Sequence, residues 1–240
     1  MLMLLRSILF SFLMIVFTII FTVFSMLLKP LPFIFMSRNL RLYANFVVVS
    51  LKYICGVKYE IHGQENIPNS PVIIFSKHQS TWEGYAMQTV FTKICFVAKR
   101  ELFWIPFFGW ALAAMKPIAI DRSSGKQAIQ QIIEQGKKRL ADGISVVIFP
   151  EGTRTAPNKP GKYKIGGAAL AAEAGYPVIP IAHNAGECWP RGGFLKKPGT
   201  IHVRIGPLIP TQGRTANEIL HDAKQWIEAQ MPGISKHYDA

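Results

Sequence analysis

Cysteine is scarce in this 240-residue sequence, which contains only Cys55, Cys95 and Cys188. Three scattered thiols without a C-x-x-C pair are too few for a disulfide framework, and they do not match a cysteine zinc site. We therefore expect three reduced and mostly buried thiols, in a domain that faces a reducing compartment.

Negative charge is also scarce. Fourteen acidic residues stand against 27 lysines and arginines, which gives a formal net charge of +13, and no acidic side chain occurs before Glu60. Because half of the residues are hydrophobic and only 17% are charged, a disordered chain is excluded. The composition is also unusual for an ordinary cytosolic enzyme, and it implies an anionic partner.

A long apolar run occupies the N-terminal segment. Ser7 to Leu28 has no ionisable side chain, and as a helix it would extend about 33 Å, close to the hydrocarbon thickness of a bilayer. A signal peptide would have a shorter apolar region and a small-residue cleavage site, neither of which is present. We therefore predict a retained membrane anchor over residues 1–50 and an α/β domain over residues 51–240. A second apolar patch at residues 31–36 leaves open that the chain turns back and stays in one leaflet.

Basic residues are more numerous after the apolar run than before it. Lys29, Arg38 and Arg41 follow the run, whereas only Arg6 precedes it. The positive-inside bias then predicts a membrane protein whose C-terminal domain faces the cytoplasm. These cations would also be attracted to anionic membrane lipids. Nucleic acid is not expected as a partner, because the basic residues are dispersed and no reading element is recognisable.

From about residue 52 onward the pattern is typical of a globular α/β protein. A strong amphipathic helix is predicted over Lys126–Ala141, which ends at Asp142-Gly143. Strands alternating with helices predict a mostly parallel central sheet flanked by helices. The seven predicted strands are Val57–His62, Val72–Ser76, Ile94–Ala98, Pro117–Ile120, Ser145–Phe149, Val178–Ala182 and Ile201–Ile205.

The segment KHQSTWEG, residues 77–84, follows an apolar strand and precedes a predicted helix. His78 and Glu83 are five residues apart, so they would not meet on one continuous helix, but they can meet if the helix starts between them. Glu83 then either completes a capping box with Ser80, as a structural residue, or orients His78 as a general base. Backbone N–H groups after Ser80 are one candidate for stabilising an oxyanion.

Two further polar segments follow predicted strands. FPEGTRT, residues 149–155, makes a tight turn that carries Glu151 and Arg154, and arginine is suited to bidentate phosphate binding. Asp121 and Arg122 end another strand. Each segment alone is typical of a solvated turn, but three polar strand ends together indicate a site at one edge of the sheet.

Together these segments resemble the glycerolipid acyltransferase family, and within it the 1-acyl-sn-glycerol-3-phosphate acyltransferases. The similarity covers about residues 50–210, and the sequence departs from the family pattern at Glu83, where aspartate is commoner, at Pro117, where glycine is usual, and at Ile181, where valine is usual. The matching blocks are His78…Glu83, Ile120-Asp121-Arg122, Phe149–Arg154 and Val178–Ile181.

The resemblance implies acyl transfer from an acyl thioester, acyl-CoA or acyl carrier protein, to the sn-2 hydroxyl of lysophosphatidic acid, which gives phosphatidic acid. It implies that His78 is the general base and that Glu83 orients it, with no covalent acyl-enzyme. No cofactor or metal is expected, since no metal motif is present. The residues implied to bind the glycerol phosphate are Arg122, Glu151, Gly152, Thr153 and Arg154.

Other classes of function remain open at this point. A hydrolase is disfavoured because no G-x-S-x-G nucleophile motif occurs, and a non-catalytic protein that binds anionic lipids would not need His78. The segment Glu101–Met115 is either an interfacial aromatic belt or an aromatic core helix. Its large aromatic residues are Phe103, Trp104, Phe107, Phe108 and Trp110.

Overall fold

A computed structural model describes residues 1–28, 30–105, 108–158 and 160–238. Lys29 and Phe107, together with the side chain of Phe108, lie outside the described part, so the predictions that involve them have no structural counterpart here.

The described parts of the chain contain eight α-helices and seven strands. The strands are β1 (Val57–His62), β2 (Ile73–Ser76), β3 (Ile94–Lys99), β4 (Ile118–Ile120), β5 (Ser145–Ile148), β6 (Val178–His183) and β7 (Gly199–Ile205). The helices are α1 (Leu2–Leu28), α2 (Phe33–Cys55), α3 (Trp82–Val90), α4 (Phe108–Ala114), α5 (Lys126–Ala141), α6 (Gly166–Ala174), α7 (Ala185–Cys188) and α8 (Ala216–Gln230).

The strands form one seven-stranded sheet in the order β1-β7-β6-β2-β5-β3-β4. Every neighbouring pair is parallel except β6 and β7, which are antiparallel. All seven predicted strands are present, and the predicted α/β fold with a mostly parallel sheet is confirmed.

Successive residues of the central strands face two different hydrophobic cores. Ile73 and Phe75 of β2 belong to the core under α5, α6 and α8, whereas Ile74 belongs to the core under α2 and α3. Because both faces are covered, these strands are apolar along their whole length, as parallel strands usually are. This burial holds the carboxyl ends of β2 and β5 in fixed positions.

The edge strand β4 is completed by glutamines of α5. Gln135 accepts a hydrogen bond from the Ala119 N–H at 3.0 Å and donates to the Ala119 carbonyl at 2.9 Å. Gln131 accepts from the Asp121 N–H at 2.9 Å. An edge strand otherwise exposes such groups, so the two side chains fix the position of β4 and of Arg122, which follows it.

Helices α1 and α2 form an antiparallel hairpin. Asn39 donates to the Ser25 hydroxyl at 3.0 Å, and the rings of Phe21 and Tyr43 stack at 4.4 Å between centroids. The predicted boundary at residue 50 lies inside α2, whose Leu51 is fully buried in the second core. Whether residues 1–50 form a separate domain stays a prediction.

Both ends of the hairpin lie against the α/β domain. At one end the Ser7 hydroxyl accepts from the Lys196 N–H at 3.0 Å, and Phe10 packs edge-on against Trp189 at 5.5 Å. At the other end Ser37 donates to the Thr92 carbonyl, and α1 packs against α4. The hairpin therefore lies along the domain and does not project from it.

The outer face of α1 is apolar and exposed. Helix α1 is the one helix in the described part of the chain that is long and apolar enough to cross a bilayer, with a mean hydropathy of 2.6, and only 17% of that window is buried. Trp104 and Trp110 are 70% and 54% exposed. Because Trp110 belongs to α4, which packs against α1, this exposure favours the interfacial interpretation of residues 101–115 over the core interpretation.

Candidate active site

His78 and Glu83 meet at the carboxyl end of β2. Helix α3 begins at Trp82, between the two residues, as the spacing required. His78 Nδ1 lies 2.7 Å from Glu83 Oε1, and the His78 side chain is 16% exposed while that of Glu83 is 1% exposed. Since an ionised carboxylate only accepts hydrogen bonds, Nδ1 carries the proton and Nε2 is left with a free lone pair.

The Glu83 carboxylate also binds the start of its own helix. It accepts from the Ser80 N–H at 2.8 Å and from the Gln79 N–H at 3.2 Å. The Ser80 hydroxyl accepts from the Trp82 N–H and not from the Glu83 N–H, so the predicted capping box forms only in part. One carboxylate therefore makes both the contacts of the structural interpretation and the His78 contact that the functional interpretation requires. The role of Glu83 in orienting a general base stays a prediction.

These hydrogen bonds also determine which backbone N–H groups remain available to stabilise an oxyanion. The N–H groups of Gln79, Ser80 and Trp82 are already engaged by side chains. Of these three groups only the Trp82 N–H lies after Ser80, and it is not available to an oxyanion. For the other N–H groups after Ser80, stabilisation of an oxyanion stays a prediction.

The backbone around His78 is fixed by hydrogen bonds on both sides of the residue. Its N–H donates to Glu151 Oε2 at 2.8 Å, and its carbonyl accepts from the Thr155 N–H at 2.8 Å. The carbonyl of Lys77 accepts from His183 Nε2 at 2.8 Å. The imidazole of His78 also stacks on Phe149, with 4.1 Å between the ring centroids. The stacking restricts rotation of the His78 side chain, and the hydrogen bonds restrict its backbone.

His183 is a fully buried second histidine behind the first. Its Nε2 faces a carbonyl and its Nδ1 faces the Ala185 N–H at 3.3 Å, so the ring is neutral with the proton on Nε2. Burial lowers the pKa of His183 below its ordinary value, although the nearby Glu83 acts in the opposite direction. The neutral ring serves as a donor that holds Lys77 in place.

A cavity of about 440 Å³ begins at His78 and runs between the sheet and helices α5 and α6. Its interior is lined by apolar side chains of both the sheet and α5, such as Val97, Ile129, Ile132 and Ile148. This volume lies in the usual range of small-molecule sites. An apolar chain bound here would place its end next to the imidazole.

Three cations surround the mouth of this cavity. Arg122, Lys126 and Lys164 line it, and all three are exposed. Arg122 Nη1 donates to the carbonyl of Gly152 at 2.9 Å, which joins two of the predicted blocks. An arginine fixed by one nitrogen keeps its other N–H groups available for an anion.

Gly152 shapes the turn that meets Arg122. Its φ of +68° lies in the left-handed region, which favours glycine. A Cβ at this position would come within 2.9 Å of the Lys164 side chain. The glycine therefore allows the turn and a mouth lysine to approach each other closely.

Asp121 holds the loop that follows β4. Its carboxylate accepts from both the N–H and the hydroxyl of Ser123, and these hydrogen bonds lower the pKa of Asp121. Arg100 lies 3.2 Å from the same carboxylate. Asp121 thus fixes the loop that carries Arg122, and it does not line the cavity.

The predicted phosphate-binding residues are not all in one place. Arg122 and Gly152 line the cavity, whereas Glu151, Thr153 and Arg154 do not. The Glu151 carboxylate is buried and turned toward Lys77 and the His78 N–H. Thr153 is exposed, and the buried Nε of Arg154 has no hydrogen-bond partner among the described residues.

Sequence reasoning missed several residues of this site. Lys77 immediately precedes His78, and His183 is a polar residue at the end of the apolar strand β6, so a signal existed for both. Lys164 lies in a cationic, glycine-rich segment at residues 159–167, and Lys126 follows Ser123-Ser124-Gly125, which matches only half of a phosphate-binding loop, so neither signal was specific. Glu228, which contacts Lys77 at 2.9 Å, is 151 residues away and no motif marks it.

A histidine–carboxylate pair at the end of a parallel sheet, beside an apolar cavity with a cationic mouth, is suited to general-base chemistry on a substrate that has an apolar chain and an anionic group. Residues 58–184 match the family model described as Acyltransferase. This chain belongs to the acyltransferase family.

Relatives narrow the class further. The chain is 48% identical over 196 residues to the 1-acyl-sn-glycerol-3-phosphate acyltransferase of Pseudomonas aeruginosa, over 80% of this chain and 76% of that protein. It is 32% identical over 180 residues to 1-acyl-sn-glycerol-3-phosphate acyltransferase alpha of Homo sapiens, over 73% of this chain and 63% of that protein. The resemblance inferred from the motifs is confirmed, and so is the prediction that the protein is an acyltransferase.

A solved structure supports the fold. The crystal structure of the 1-acyl-sn-glycerophosphate (LPA) acyltransferase PlsC from Thermotoga maritima aligns with a TM-score of 0.81, over 96% of this chain and 95% of that chain. At 21% identity this similarity establishes the fold. It includes the N-terminal helices, because nearly the whole chain is aligned.

Proposed function

We propose that the protein transfers a fatty acyl group from an acyl thioester to the sn-2 hydroxyl of 1-acyl-glycerol-3-phosphate, which forms phosphatidic acid in phospholipid biosynthesis. The observation that carries this proposal is the 2.7 Å contact between His78 and Glu83 at the opening of the apolar cavity. The names of the relatives support the choice of the acceptor. The donor is acyl-CoA or acyl carrier protein.

In this mechanism His78 Nε2 takes the proton of the acceptor hydroxyl while the oxygen attacks the thioester carbonyl. Collapse of the tetrahedral intermediate breaks the C–S bond, and the imidazolium returns its proton to the leaving thiolate. Glu83 stabilises the imidazolium and fixes its orientation. A positioned base of this kind contributes about 10²- to 10⁴-fold to the rate. The acyl group passes directly to the alcohol.

We assign the phosphate of the acceptor to the cationic mouth. Arg122 is its principal ligand, with Gly152 shaping the turn beside it. Glu151 does not bind phosphate in this proposal, because its carboxylate is buried and carries the wrong charge; it positions the His78 backbone instead. Thr153 and Arg154 remain accessory residues of the same turn.

The membrane is the second part of the proposal. The exposed apolar face of α1 would enter one leaflet, since both ends of α1 lie against the α/β domain. We place the protein at a bacterial inner membrane with its catalytic domain toward the cytoplasm. The three buried free thiols, together with the exposed basic residues Arg38 and Arg41 that follow α1 in the chain, support this side.

An acyl-transfer assay tests the proposal. Purified protein is supplied with a radiolabelled acyl thioester, with or without lysophosphatidic acid, and the lipid product is separated and identified. We expect labelled phosphatidic acid only when the acceptor is present. Release of free fatty acid at the same rate without acceptor would identify a hydrolase and contradict the proposal.

A further inference from the structure

A buried lysine lies directly before the proposed base. The Lys77 side chain is fully buried, and its Nζ lies 2.9 Å from Glu151 Oε1 and 2.9 Å from Glu228 Oε1. Burying an ammonium group is costly unless it is paired. The mechanism uses neither Lys77 nor Glu228, so the burial of Lys77 beside the site and its pairing with Glu228 call for another explanation.

Glu228 belongs to α8 and is itself held by two tyrosines. The Tyr163 hydroxyl donates to Glu228 Oε1 at 2.8 Å, and the Tyr238 hydroxyl donates to Oε2. Burial raises the pKa of Tyr163, so its hydroxyl keeps its proton and remains a donor. Tyr238 also contacts Lys77, whose Nζ lies 5.3 Å from its ring centroid. The carboxylate is therefore fixed from two separate parts of the chain.

These contacts form a continuous series that ends at the base. Glu228 binds the Lys77 ammonium, the ammonium binds one oxygen of Glu151, and the other oxygen of Glu151 accepts the His78 N–H at 2.8 Å. Thr155 adds a hydrogen bond from its hydroxyl to the same Glu151 carboxylate at 3.2 Å. Each step joins charged or charge-assisted partners, which are the stronger class of hydrogen bonds.

We propose that Glu228 is a positioning residue for the acyl transfer, which acts through Lys77 and Glu151 to hold the His78 backbone where its imidazole reaches the acceptor hydroxyl. Helix α8 thereby takes part in the site although it lies outside residues 58–184, which match the family model. The inference rests on the proposed function, because the position of His78 affects turnover only if His78 is the base.

Glu228→Gln is the most informative variant. It removes one charge with little change of shape and leaves Lys77 paired with Glu151, so the fold should persist. We expect kcat to fall about 10- to 100-fold, as for a small displacement of a catalytic group, with both KM values within about threefold. Lys77→Met leaves the buried Glu151 carboxylate and the half-buried Glu228 carboxylate without their cation and should also lower the melting temperature. The double variant Lys77→Met/Glu228→Gln should recover part of that stability.

The matched control is Asp222→Asn, which makes the same chemical change on the same helix at a surface pair with Arg214. It should leave kcat unchanged. Amide hydrogen exchange of the peptide that contains residues 77–81 provides a readout that needs no activity. We expect faster exchange in Glu228→Gln and no change in Asp222→Asn.

The outcomes separate the two proposals. A lower melting temperature in Glu228→Gln with unchanged kcat and unchanged exchange at residues 77–81 would make the cluster a stability element and overturn this inference. A wild-type protein that does not acylate lysophosphatidic acid would overturn the proposed function. The exchange experiment would still report in that case whether Glu228 holds the His78 backbone.

Discussion

At the scale of single residues, the site depends on carboxylates that serve several donors at once. Glu83 binds the His78 imidazole and the first turn of α3, and Glu151 binds Lys77 and the His78 N–H. The sequence could offer the two roles of Glu83 only as alternatives, since this acid stands three residues after Ser80, as a capping box requires, and five residues after His78. Only the loop geometry, with α3 beginning at Trp82, allows both.

The positions of Arg122 and Arg154 relative to the cavity predict that the two arginines contribute differently to binding of the acceptor. Arg122 lines the cavity and Arg154 does not, so Arg122→Ala should raise the KM for lysophosphatidic acid more than Arg154→Ala does. Because the interaction exists before and during the reaction, kcat should change less than KM. Steady-state kinetics with varied acceptor measures this. A larger increase in KM in Arg154→Ala would contradict the assignment of the phosphate to Arg122 and would place it beside Arg154.

At the scale of elements, apolar runs and helical periodicity were sufficient to predict the strands and α5. β1 and α5 have the predicted bounds, because both begin and end at clear changes of pattern. The order of strands could not be predicted, since it depends on which crossover each helix makes. The antiparallel pairing of β7 with β6 and the completion of β4 by Gln135 also depend on long-range contacts.

The buried His183, at the end of β6, predicts that the stability of the fold depends on pH. The pKa of His183 is lowered by burial from its ordinary 6.5, so between the folded-state pKa and 6.5 the unfolded chain binds the proton more readily than the folded chain. This contribution to stability is therefore complete above about pH 6.5 and is lost as the pH falls below it.

The corresponding variant is His183→Gln, whose amide N–H can still donate to the Lys77 carbonyl. The melting temperature should fall less between about pH 7.5 and pH 5.5 in this variant than in the wild type. His202→Gln changes a histidine whose side chain is 39% exposed and serves as the control. Equal pH dependence in wild type and His183→Gln would contradict the assignment.

At the scale of the whole molecule, the N-terminal apolar run forms one arm of a helical hairpin that packs along the α/β domain. Composition predicted the run and its affinity for lipid, but length alone could not distinguish a span from a hairpin within one leaflet. Contacts of Ser7 with Lys196 and of Ser37 with Thr92 place both ends of the hairpin on the α/β domain. The positive-inside bias, which orients spanning helices, is then a weaker guide to orientation than it was for the sequence alone.

Cysteine labelling tests this arrangement. Leu2→Cys and Leu31→Cys introduce exposed thiols near the two ends of α1, while Cys55, Cys95 and Cys188 are buried. In sealed vesicles with the catalytic domain outside, an impermeant maleimide should label both new thiols. Labelling of only one of the two without detergent would indicate a helix that crosses the bilayer.

The central claim is that the His78 imidazole, held by Glu83, deprotonates the acceptor hydroxyl. Its most direct test is the turnover number of His78→Ala with saturating lysophosphatidic acid and acyl thioester, in protein whose melting temperature matches the wild type. We expect a loss of about 10²- to 10⁴-fold. A His78→Ala enzyme that keeps turnover within about threefold of the wild type would contradict the account.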